Sequence, residues 1–122
     1  MRVTGIVVRG KGEARTIGYP TANIDYSSAE IFGAGVWLCS LWFAEKKYQG
    51  LAIIDMWKQS NGLPSLEVYV LDFNGDMYGQ IVHVDLHKKL RDLEKFMDVE
   101  HLVCQIEKDI VAARQEFTLV QE

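Results

Sequence analysis

Over roughly the first ninety positions apolar residues alternate or gather in short runs, and after that they take a helical period. Arg2 to Val8 has the β-branched content of a first strand. Val36 to Phe43 (VWLCSLWF) is apolar at nearly every position, which predicts a strand buried on both faces, as in a small barrel or a sandwich. Glu45-Lys46-Lys47 marks a turn, and a strand resumes from Tyr48 to about Ile54, broken by Gly50. Asp55 to Ser65, with Asn61-Gly62 and Pro64, reads as a loop. Leu66 to Phe73 is the next strand, Asn74-Gly75 is a tight hairpin signal, and Met77 to Leu86 is the expected partner strand. Within that partner Val82, Val84 and Leu86 alternate with His83, Asp85 and His87, giving one apolar and one polar face.

The period changes after Asp98. Leu102, Ile106, Ile110, Ala113 and Phe117 recur at three- and four-residue steps, one stripe of a helix. Asp98 suits the N-cap, and Glu100 falls in the positive first turn. The pattern therefore predicts about six short strands, paired antiparallel, followed by one C-terminal helix.

Size and composition narrow the function classes. A chain of 122 residues suits a single domain. Its net charge of −4, with both signs mixed along the chain, lacks the basic footprint of a nucleic-acid binder. No apolar run reaches the length of a membrane span, and Met1-Arg2-Val3 leads into strand-like sequence instead of a signal peptide. Cys39 and Cys104 lie far apart without metal-finger spacing, so reduced thiols in a cytoplasmic protein are expected.

Chemistry concentrates in Gly10 to Asn23 (GKGEARTIGYPTAN). Its glycines leave backbone N–H groups open to a phosphate, and Arg15 adds a fixed positive charge. Thr21 and Asn23 each offer a hard oxygen of the kind Mg2+ accepts beside phosphate and water. The competing reading is an ordinary Gly/Pro connection between strands. Glu67 lies on a strand that is otherwise apolar on both faces, on the same side as Tyr69 and Leu71. A carboxylate there must be paired, protonated or used, unless it sits at the strand's mouth in solvent. His83, Asp85 and His87 share one strand face and form a conceivable metal triad, but a solvent-facing edge opposite Val82, Val84 and Leu86 explains them as well. Arg91 offers a planar guanidinium that can stack or clamp, or else lies on a charged loop pinned by Leu90, Leu93 and Phe96. The chain has no P-loop, dinucleotide fingerprint or nucleophile elbow.

Four segments, in order, resemble the riboflavin kinase family, which also forms the C-terminal half of bifunctional bacterial FAD synthetases. They are Gly10 to Asn23 with its Pro20-Thr21-Ala22-Asn23, Leu66 to Gly79 (LEVYVLDFNGDMYG), Leu90 to Phe96, and Leu102 to Arg114 with Gln105-Ile106 and Asp109-Ile110. The resemblance covers nearly the whole chain, and the Pro-Thr-Ala-Asn run together with the Glu67 strand is its most specific part. It implies a six-stranded antiparallel Greek-key barrel with a C-terminal helix, as one domain over 1–122. The barrel would occupy about 1–90, and a flap and the helix about 91–117.

The resemblance further implies transfer of the ATP γ-phosphate to the 5′-hydroxyl of riboflavin, giving FMN and ADP. It makes Glu67 the catalytic base and Thr21 and Asn23 the residues for Mg2+ or another divalent cation. Gly10, Arg15, Val70, Asp72 and Tyr78 would bind ATP, and Arg91, Glu94 and His101 would contact flavin. One segment departs from the family: Leu51 to Trp57 (LAIIDMW) stands where an Asn-Ile-Gly…Pro-Thr type segment is usual, with Pro64 displaced, so that Met56 and Trp57 would alter one wall of the site. Leu93 also replaces a polar residue common in the flap. With no adenylyltransferase half in these residues, FAD synthesis is not expected. Two other readings stay open: a non-catalytic flavin- or nucleotide-binding module on the same barrel, and a purely structural interaction domain.

Overall fold

The structure, a computed structural model, describes residues 2–9, 18–27, 33–58 and 62–120. Six strands appear among them: β1 (Arg2–Val8), β2 (Ala22–Tyr26), β3 (Gly35–Phe43), β4 (Lys46–Lys58), β5 (Pro64–Val70) and β6 (Ile81–Arg91). One helix follows, α1 (Val99–Val120). Every strand pair is antiparallel, and the ladder closes on itself in the order β1-β2-β5-β4-β3-β6. β3, β4 and β5 are sequential neighbours, and β2 lies beside β5 instead of β3, which is the Greek-key arrangement. The expected barrel is borne out.

Alternation along the strands builds two cores. The barrel interior is filled by Val3, Ile24, Leu41, Val68, Val82 and Val84, none more than 2% exposed, among others. The second core lies outside the barrel wall, where Val36, Leu38, Leu51 and Leu71 meet Ala113 and Phe117 of α1. β3 therefore buries both of its faces, one inside the barrel and one beneath the helix, as its unbroken apolar run requires. Of the helical stripe, Ile110, Ala113 and Phe117 find their partners on that outer wall. Asp98 caps α1 as expected: His101 N–H donates to its carboxylate at 2.9 Å.

Several expectations are corrected. The segment after β5 does not turn back as a hairpin. Asp72 takes a left-handed backbone (φ 56°), Met77 is buried in the barrel core, and Gly79 N–H donates to the Val7 carbonyl at 2.8 Å. These contacts carry residues 71–80 across the barrel end to β1, so β6 pairs with β1 and β3 and begins at Ile81, not Met77. Gly50 does not break β4. A Cβ there would stand 2.8 Å from the Tyr69 carbonyl oxygen, so the glycine permits close approach of β5. β4 runs on to Lys58, with a register irregularity after Asp55, where a loop was expected. The β3–β4 turn is Ala44-Glu45, both left-handed (φ 53° and 64°), one register earlier than the charged trio suggested. Ala22–Tyr26, whose first two residues fall in the Gly10 to Asn23 stretch, is a strand.

Candidate functional site

The centre of the site is set by the β2–β5 ladder. Asn23 on β2 stands directly opposite Glu67 on β5. Ile24, Leu66 and Val68 point into the barrel, so alternation turns Asn23 and Glu67 to the outer wall, both partly buried. Just before β2, Thr21 Oγ1 donates to Glu67 Oε1 at 3.0 Å. Thr21 and Asn23 thus meet a carboxylate 44 or more positions away in sequence on one patch.

A single cross-strand row extends this patch around the barrel. Glu67 is opposite Ile53, Ile53 is opposite Val36, and Val36 is opposite Arg91. At about 4.8 Å per strand, three steps put Arg91 about 14 Å from Glu67 along the wall. The departing segment Leu51 to Trp57 lies within β4: Leu51, Ala52 and Ile54 are core, and Ile53 lines the row beside Glu67. Met56 is exposed.

Tyr19 ties the Thr21 segment to the rest of the wall. Its ring meets Tyr69 edge-on at 5.9 Å. Desolvation, then the nearby Glu107 carboxylate of α1, holds its phenol above the ordinary value. A shallow concavity runs along α1, past Val99, Val103 and Val111, and touches this arrangement only at Glu107.

The remaining expected residues fall at identifiable places. Val70 ends β5, and Asp72 follows it, its carboxylate accepting both Arg114 terminal N–H groups at 3.0 Å. Tyr78 is exposed, with the Arg9 guanidinium 4.3 Å from its ring centre. Since Val8 is opposite Asn23, the 71–80 connection gathers at the same end of the barrel as Asn23. Gly10 and Arg15 lie outside the described residues. Arg91 ends β6 and is bound to Asp109 through Nε at 2.9 Å and Nη2 at 2.8 Å. Glu94 is exposed on the segment between β6 and α1. His101, also exposed, shares a 2.6 Å hydrogen bond between Nδ1 and Asp98.

His83, Asp85 and His87 do share one face, and each is occupied by a neighbouring strand. His83 Nδ1 is 2.8 Å from Thr4 Oγ1, Asp85 accepts from Arg2 at 3.0 and 3.1 Å, and His87 Nε2 is 2.7 Å from Ser40 Oγ. Among the described residues no three His, Cys, Asp or Glu side chains converge as a metal cage. Thr21 fits a different kind of cation site. A hydroxyl that donates its proton to Glu67 keeps lone pairs for a hard cation, and Asn23, opposite Glu67 in the ladder, carries an amide oxygen on the same wall. Two side chains the residue-by-residue reading passed over are prominent here: Asp109, which holds Arg91, and Arg114, which holds Asp72. The Asp109-Ile110 pair was visible as a polar position beside the buried stripe, but its partner is 18 positions away.

Comparison with known proteins agrees with the fold. The family profile described as Flavokinase: Riboflavin kinase matches residues 1–117. A bifunctional riboflavin kinase/FMN adenylyltransferase of Pseudomonas fluorescens is 36% identical over 93% of this chain and 37% of its own length. The chain thus spans well under half of that relative. Among solved structures, a riboflavin kinase from Trypanosoma brucei superposes with a TM-score of 0.71 at 22% identity, covering 96% of this chain and 79% of that one. A Streptococcus pneumoniae protein described as a macrolide-efflux protein superposes at 0.85 with 34% identity, covering 93% of this chain and 38% of that one.

Proposed function

The chain belongs to the Flavokinase family, the riboflavin kinases, and from that premise we propose that it transfers the γ-phosphate of ATP to the 5′-hydroxyl of riboflavin. The observation that carries this reading is the contact of Thr21 with Glu67, with Asn23 in register beside them. In the proposed step the riboflavin hydroxyl oxygen bonds to the γ-phosphorus as the bond to the departing ADP oxygen breaks. Glu67 orients the hydroxyl and takes its proton, a contribution of about 10²–10⁴-fold.

Thr21 and Asn23 would hold a divalent cation such as Mg2+, which when bound neutralises phosphate charge. The glycine loop at Gly10, with Arg15, would cradle the phosphates. Val70, Asp72 and Tyr78 would border the nucleotide, at the barrel end where Asn23 also lies. Arg91, with Glu94 and His101 on the segment that follows, would contact the flavin. The span of about 14 Å from Glu67 to Arg91 suits a flavin lying along the wall with its ribityl chain toward Glu67. We place the reaction in the cytoplasm.

An efflux role, as named for the pneumococcal protein, is not favoured. The barrel interior is a packed apolar core. The test is incubation of the protein with riboflavin and Mg-ATP, followed by chromatography. FMN and ADP should form in equal amounts, and only when all components are present. Riboflavin binding without any FMN would instead establish a non-catalytic flavin-binding module.

A further inference from the structure

Asp109 stands on α1 where the helix passes the end of β6. Its residue is 5% exposed, and a carboxylate so buried requires partners for its charge. Arg91 Nε donates to both carboxylate oxygens at 2.9 and 3.1 Å, Arg91 Nη2 donates to Oδ2 at 2.8 Å, and Gln105 Nε2 donates to Oδ1 at 2.9 Å. A fork of parallel N–H donors on one carboxylate fixes the plane of the guanidinium. The remaining nitrogen, Nη1, donates to the Asp92 carbonyl at 2.9 Å, and Cζ lies 6.0 Å from the Phe96 ring centre. Asp109 is therefore the anchored end of a chain of contacts that runs through Arg91 into the segment between β6 and α1.

The helix is attached by other contacts as well. Ala113 and Phe117 already pack α1 on the barrel, and Val36 already pairs with Arg91 in the ladder. A buried ion pair contributes little net stability compared with apolar packing, so its physical value here is orientation. We infer that Asp109 is a positioning residue for the flavin: it sets the plane of Arg91 and, through Arg91, the approach of residues 92–96 to the ring. The inference rests on the riboflavin kinase reading, in which Arg91 touches the flavin. Asp109 acts through Arg91 and touches no ligand itself.

Asp109→Asn keeps the shape of the side chain and removes its charge. The riboflavin Kd, read by quenching of flavin fluorescence, and the riboflavin KM should both rise about tenfold, while the ATP KM and kcat at saturating riboflavin stay within about twofold. Asp109→Glu should recover part of the loss. In an Arg91→Gln background, Asp109→Asn should add no further loss, because its effect passes through Arg91. Should Asp109→Asn fail to fold, Gln105→Ala reports in its place, with a rise of about threefold in riboflavin KM alone. An unchanged riboflavin Kd, an equal fall in all kinetic parameters, or additive effects in the double variant would overturn the inference. A wild-type chain that binds riboflavin but forms no FMN would overturn the kinase reading alone, since the Kd comparison still decides the role of Asp109. A wild-type chain that does not bind riboflavin overturns both.

Discussion

Thr21 Oγ1 donates to Glu67 Oε1 at 3.0 Å, across 46 positions of sequence. The contact exists because β2 enters the barrel beside β5 and not beside β3, so that the last residue before β2 reaches the outer face of the β5 carboxylate. Thr21→Val keeps the side-chain volume and deletes the oxygen. It should weaken Mg-ATP binding by about tenfold and raise the Mg2+ concentration needed for half-maximal activity. An unchanged Mg2+ requirement, measured by metal titration of turnover, would remove Thr21 from the proposed cation site.

The outer core is predicted to hold the helix. Phe117 is buried against Val36, Leu38, Leu51 and Leu71, and Phe117→Ala should cost about 3–5 kcal/mol by urea denaturation. A loss below about 1 kcal/mol would mean that the α1 contact is not the stabilising one described.

The two cysteines should differ in reactivity. Cys39 is fully buried inside the barrel, where burial pushes its thiol well above the ordinary range, whereas Cys104 is exposed on α1. A chromogenic disulfide reagent should titrate one thiol in the native protein and two in guanidinium chloride. Two fast thiols in the native protein would contradict the packing at Cys39.

His87 and Asp85 predict lower stability in acid. Desolvation is the main cause that lowers the His87 value below 6.5, against an opposing pull from Asp85. Asp85 is itself lowered chiefly by its hydrogen bonds from Arg2. In both cases the unfolded chain binds more protons than the folded one between the two pKa values, so stability rises with pH there and is lost as pH falls. The Tm should fall as pH drops below about 6.5, and the upper part of that fall should shrink in His87→Gln. A Tm in the variant that follows the wild-type profile throughout would exclude His87 as its source.

Local pattern was a good guide where one element explains its own residues. The double-faced apolar run of β3 declared a strand covered on both sides, and the stripe from Leu102 to Phe117 declared what covers one of them. Asp98 named its own cap. Pattern failed where non-local packing decides. β2 is five residues long and starts inside the Pro-Thr-Ala-Asn run, so turn chemistry hid it. Asn74-Gly75 has the composition of a hairpin, yet burial of Met77 and the hydrogen bonds to Val7 carry the chain across the barrel end. At the candidate site, residue types and spacing singled out Thr21, Asn23, Glu67 and Arg91. That three of them meet, and that Arg91 is held by Asp109, depends on barrel closure and on the docking of α1.

The proposed phosphoryl transfer turns on Glu67 as the group that would receive the hydroxyl proton beside Thr21 and Asn23. Its most direct test is single-turnover FMN formation by Glu67→Gln, with riboflavin and ATP binding measured on the same preparation. The rate should fall about 10²–10⁴-fold with both ligands still bound. A variant that forms FMN at the wild-type rate would contradict it.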